Sequence, residues 1–157
     1  MEIQLNPELR YRQRTGTGIL QARLADALAL TVRAKQVRWN LDESKFSRMR
    51  KLLAAVQKDA STSSEAISRR IVNLGGQAYG SAVMDATTSS LKKSCQAINN
   101  EDDLIEEFAS EMLDFGIALR DASSEARKIG DLVSSELFIV ILKNLEKSLI
   151  LVEAQRS

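Results

Sequence analysis

Residues 46–76 read FSRMRKLLAAVQKDASTSSEAISRRIVNLGG, and the spacing of their apolar side chains predicts a long helix. Phe46, Met49, Leu53, Val56, Ala60, Ser63, Ile67, Ile71 and Leu74 follow one another in steps of three and four. That is a core seam about eight turns long on one helix face. Gly75-Gly76 ends it, because glycine accepts the left-handed conformation that closes helices. Upstream, Asn40-Leu41-Asp42-Glu43 breaks the pattern. Asp42 is the expected N-cap, with Glu43 near the positive end of the helix dipole.

Working outward, a helix is expected over Ile19 to Trp39, with the stripe Leu20, Leu24, Leu28 and Val32 filled by Ala27 and Thr31. Before it, Met1 to Gly18 reads as an arm: Pro7, then Arg10, Arg12 and Arg14, then the flexible run Thr15-Gly16-Thr17-Gly18. After Gly76 the chain is rich in Ser and Thr, and Gln77 to Asn99 reads as a crossover with one short helix over Ser81 to Ile98. A third long helix opens at Asn100, with Asp103 in a capping-box-like position and Glu101 and Asp102 beside it. Its stripe is Leu104, Phe108, Met112, Phe115, Leu119, Ala122, Ala126 and Ile129, with Arg127 and Lys128 in the last turn and Gly130 as its close. The fourth helix covers Leu132 to Ala154. Its segment Leu137 to Leu142 is apolar all round, so one face is expected on the bundle and the other on a second subunit. The domain organisation is an arm, 1–18, and an all-α antiparallel four-helix bundle, 19–157, with a long crossover between its second and third helices.

Composition narrows the function classes. The chain has 157 residues with one proline and seven glycines, which suits one domain of long helices. No apolar run approaches a membrane span, and the N-terminus is too polar for a signal peptide. Cys95 is the single cysteine, so no internal disulfide forms and a reduced thiol in the cytoplasm is expected. With 22 basic and 21 acidic side chains, net charge +1, there is no overall drive toward nucleic acid. Histidine is absent. That excludes His-dependent triads, His-containing zinc sites and haem held by an axial His. No Gly-rich phosphate loop, nucleophile elbow or zinc spacing occurs. Glu107, Glu111 and Asp114 share one face of the third helix and read either as a solvated face or as a carboxylate iron site, without the E-x-x-H partner of di-iron bundles.

Lys35-Gln36-Val37-Arg38-Trp39-Asn40 resembles the segment that ends the first helix in the Dps branch of the ferritin-like family, where a His-Trp-Asn run carries an iron ligand. Phe46 falls at that family's Phe, seven residues after Trp39, and Arg69-Arg70 leading to Leu74-Gly75-Gly76 resembles its Glu-Arg run before Leu-Gly-Gly. Gly130-Asp131 and Ser135-Glu136-Leu137 resemble its turn before the last helix. The resemblance spans about Leu20 to Ala154 and implies a ferritin-like bundle, a dimer as building block and a dodecameric shell in the cytoplasm.

The family's chemistry does not carry over residue by residue. Its two ligand histidines match Arg38 and Arg50, its ligand aspartate matches Glu65 and its ligand glutamate matches Arg69. Acidic positions that start the mineral match Lys51 and Ala54. Three guanidiniums and one carboxylate are formally +2. They repel a divalent cation, and arginine has no lone pair to donate. The expectation is a stress-related or structural shell that is not a ferroxidase, with no cofactor at the usual di-iron site. Two alternatives stand beside it. One is iron storage, with metal entering at a pore lined by Asp131 and Glu136 and mineralising on acids such as Glu107 and Glu111. The other is a smaller helical adaptor. Asp131 also reads simply as an N-cap. Arg10, Arg12 and Arg14 are candidate DNA contacts, and Trp39 is expected to pack in a core or interface.

Overall fold

The structure, a computed structural model, describes residues 6–80 and 100–156. Among these residues four helices form a bundle: α1 (Pro7–Trp39), α2 (Ser47–Asn73), α3 (Glu101–Lys128) and α4 (Leu132–Ala154). α1 packs along α2 and α3 along α4, while α1 also meets α3 and α2 meets α4. The core they enclose is built on Leu20, Leu30, Leu53, Ile67, Phe108, Met112, Phe115 and Phe138, all essentially inaccessible. The short helix expected over Ser81 to Ile98, and Cys95, lie outside the described residues. No helix among the described residues is long and apolar enough to cross a membrane.

α1 starts twelve residues earlier than expected. Asn6 caps it by accepting from the Glu8 amide at 2.8 Å, and Pro7 occupies the first turn, where its missing N–H costs nothing. The Thr-Gly-Thr-Gly run is helical because tertiary packing overrides its low propensity. Gly16 is buried, and an added Cβ would meet the Asp131 carboxylate at 3.4 Å and Leu74 at 3.7 Å, in ordinary van der Waals contact. Thr17 bonds back to the Gln13 carbonyl at 2.9 Å, and the Gln13 amide donates to the Leu74 carbonyl.

Two stripes are also corrected. On α1, Leu20 and Leu24 are buried but Val32 is 64% exposed, and the core line continues through Ala27, Leu30, Ala34 and Val37. A strict four-residue step overshoots the helical turn by about 40° each time, so three steps carry Val32 about 120° off the face. On α2, Ser64 faces the core in place of Ser63, closing its hydroxyl onto the Ser61 carbonyl at 2.7 Å.

The helix ends follow local chemistry. Asp42 does not cap α2, which begins at Ser47 with no side-chain cap. Instead its carboxylate organises the link, accepting from Ser44 N at 2.9 Å, Ser44 Oγ at 2.6 Å and Lys45 N at 3.0 Å. The Ser44 hydroxyl and the Lys45 amide hold its pKa below the usual value. α2 ends on Gly75 at φ +80° and α3 is followed by Gly130 at φ +79°, conformations that a Cβ would strain. Asn100 caps α3 through Asp103 N at 2.7 Å, and Asp131 caps α4 through Ser134 N at 3.0 Å.

Candidate functional site

Of the four positions singled out by sequence, Arg38 lies in the last turn of α1, Arg50 near the start of α2, and Glu65 and Arg69 toward the C-terminal end of α2. Arg50 is half-buried and turned into its own chain, donating through Nη1 to the carbonyl of Arg38 and to that of Leu41 at 3.0 Å. It thereby satisfies carbonyls left open where α1 ends and places a cation at the negative end of that helix. Arg38 beside it makes no ion pair among the described residues. Trp39 is 67% exposed, so it does not pack in the core of the described residues. Glu65 and Arg69 are exposed on α2, and although they stand one turn apart they do not pair with each other. From Arg50 to Glu65 the helix rises about 22 Å. A single chain therefore does not gather the four groups; only a second copy brought end to end with the first could do so.

Asp131 is committed elsewhere. Its Oδ1 accepts from Arg70 Nη2 at 2.8 Å and from Ser134 N at 3.0 Å, and its Oδ2 accepts from Ser134 Oγ at 2.6 Å. Arg70 Nε also donates to Ser134 Oγ at 3.0 Å, which ties the C-terminus of α2 to the N-terminus of α4. Burial raises the Asp131 pKa, but the hydrogen bonds from Ser134 and Arg70 outweigh it and hold the carboxyl below its usual value. Its side chain is 8% exposed, whereas Glu136 is exposed on α4.

Glu107 and Glu111 form neither a solvated face nor an open metal site. Arg33 of α1 crosses to α3, meeting Glu107 at 2.8 Å and both oxygens of Glu111 at 2.9 and 3.0 Å. Burial raises the Glu111 pKa against the opposing pull of Arg33, and neighbouring Glu107 adds to the rise. Sequence reasoning missed this cluster and also the buried Asp26, which accepts from Arg23 Nε at 2.7 Å while Arg23 Nη1 reaches the Ala118 carbonyl at 3.2 Å. The available signal was an acid inside an apolar run, Leu24-Ala25-Asp26-Ala27. Among the described residues no three Cys, His, Asp or Glu side chains gather in a way that could hold a metal.

At the N-terminus the three arginines differ. Arg12 is held by Glu8 at 2.8 Å, with its guanidinium against Gly130. Arg10 and Arg14, one turn apart on α1, are exposed and make no ion pair among the described residues.

Residues 17–156 match the model of the ferritin-like domain. The DNA protection during starvation protein of Agrobacterium fabrum is 29% identical over 140 residues, 89% of this chain and 86% of that protein. Among solved structures, a mutant of Dps1 from Mycobacterium smegmatis aligns with a TM-score of 0.89 at 17% identity, covering 98% of this chain and 100% of that one. DpsC from Streptomyces coelicolor aligns with a TM-score of 0.86 at 17% identity, covering all of this chain and 90% of that one.

Proposed function

Because the chain belongs to the ferritin-like domain family, we propose that it is a shell-forming protein of the Dps type whose intersubunit metal site has become an arginine-rich site that does not oxidise iron. The observation that carries this reading is the donor set itself. Arg38, Arg50 and Arg69 offer no lone pair to a cation, Glu65 is the one carboxylate, and the Arg50 guanidinium is already engaged with backbone carbonyls. These residues do not fit iron.

In the arrangement that the Dps resemblance implies, Arg38 and Arg50 of one protomer face Glu65 and Arg69 of its twofold partner. Guanidiniums then stand where the irons would, and Glu65 ties the dimer. One carboxylate does not neutralise three cations, so an anion such as phosphate, or a further acid such as Asp42, Glu43 or Asp59, completes the cluster. Assembly is supported by apolar side chains left uncovered on three helices: Val32 and Trp39 on α1, Leu113 and Ile117 on α3, and Val133 and Val140 on α4. Iron storage through Asp131 and Glu136 with Glu107 and Glu111 is not favoured, since Asp131, Glu107 and Glu111 are already paired with arginines and only Glu136 is left exposed. DNA association, suggested by the name of the A. fabrum relative, rests here on Arg10 and Arg14 as the unpaired cations of the α1 start.

Light scattering at micromolar concentration tests the shell. Twelve chains of 17.4 kDa give a particle of about 210 kDa, built from dimers. A monomeric species of one chain's mass would contradict the reading and favour a small helical adaptor.

A further inference from the structure

One buried side-chain polar atom has no hydrogen-bond partner among the described residues: Oε1 of Gln57, near the middle of α2. An amide oxygen taken from water without a donor destabilises the fold, so its position calls for a cause. The antiparallel helices α1 and α2 bring Gln13 to Leu74 and Arg38 to Arg50, which sets Thr31 level with Gln57. The Thr31 hydroxyl already donates to the Ala27 carbonyl at 2.8 Å. The fold of a single chain makes no use of the amide.

Gln57 lies two turns from Arg50 on the same face of α2. Residues 57 and 58 are also midway between Arg50 and Glu65. Where Arg50 of one protomer faces Glu65 of its twofold partner, the two α2 helices run antiparallel and the axis crosses each at this midpoint. A residue there meets its own copy. Lys58 is turned about 100° from Gln57 and is exposed, with a stem long enough to carry its ammonium to the rim. An amide suits the axis itself, because it is neutral and holds both a donor and an acceptor. Ala54 and Ser61, about one turn to either side, are small enough to let a second helix approach.

We propose that Gln57 pairs with the partner's Gln57 across the twofold axis, each Nε2 donating to the other's Oε1. Rotation about the last side-chain torsion, a soft one, turns Oε1 outward to meet its donor. The inference rests on the dimer proposed above and adds what the arginine cluster does not supply, the register of α2 on α2. A slip of one turn separates the two amides, as a single buried polar residue fixes register in coiled coils.

The test mixes two full-length variants, Gln57→Glu and Gln57→Lys. Sedimentation over a dilution series follows dimerisation, and circular dichroism checks folding. Alone, each variant sets like charges against each other and should dimerise at least about tenfold more weakly than wild type. Mixed in equal amounts they should regain affinity close to wild type, because each charge then faces its opposite. Only a residue that meets its own copy gives this pattern. Variants that dimerise as wild type, or a mixture no better than its components, overturn the inference and leave the dimer standing. A wild-type chain that stays monomeric contradicts both. Should the charged variants fail to fold, Gln57→Cys in a Cys95→Ser background carries the comparison. A short bismaleimide should then join two chains on a denaturing gel, and its failure to do so overturns the pairing.

Discussion

Arg33→Ala is expected to destabilise the folded chain by about 3–5 kcal/mol at neutral pH, the cost of leaving a buried carboxylate without its partner. Glu111 is 5% exposed and receives two of the guanidinium's hydrogen bonds, and Glu107 beside it would add repulsion once the cation is gone. The loss should depend on pH in a definite sense. Burial already raises the Glu111 pKa, and removing Arg33 raises it further. In the variant the folded state therefore binds a proton more readily than the unfolded chain. The defect is smallest below the unfolded pKa, near 4.5, and grows as pH rises through the folded value. Denaturant unfolding of variant and wild type at pH 4 and pH 7 reads both effects. Equal losses at the two pH values would show that Arg33 acts through packing of its stem rather than through charge. Arg33→Lys, which keeps the charge but not the paired hydrogen bonds, should lose less.

Glu65→Ala is expected to weaken the dimer by about 3 kcal/mol, roughly 150-fold in dissociation constant, if Glu65 is the carboxylate that ties three guanidiniums across the twofold axis. The effect should appear in assembly and not in the fold, since Glu65 is exposed on the isolated chain and pairs with nothing there. Sedimentation over a dilution series measures it. A variant that dissociates at the wild-type concentration would remove Glu65 from the interface and reduce the arginines to a lost metal site.

What could be read from the sequence was what is written locally. The α3 seam from Leu104 to Ala126 holds, and α4 spans the expected Leu132–Ala154, because mixed three- and four-residue steps track the helical turn. Asn100, Gly75, Gly130 and Asp131 could be read as caps and closures because each acts on backbone within a few residues. What escaped depends on partners distant in sequence. Gly16 is helical because Asp131 and Leu74 surround it, and Glu111 is buried because Arg33, 78 residues earlier, meets it. Asp131 could be read either as a cap or as a pore acid. Its pairing with Arg70, 61 residues away, was not legible. The Dps resemblance implies a ligand position at Arg50, but its attachment to the end of α1 emerges only once the link folds back.

The claim that the site no longer handles iron is tested most directly by following ferrous iron oxidation by peroxide in the presence of the assembled protein. With Arg38, Arg50 and Arg69 at three of the four positions, the rate should match that of an inert protein at equal mass concentration. Saturable oxidation with a fixed number of irons per subunit would contradict the account.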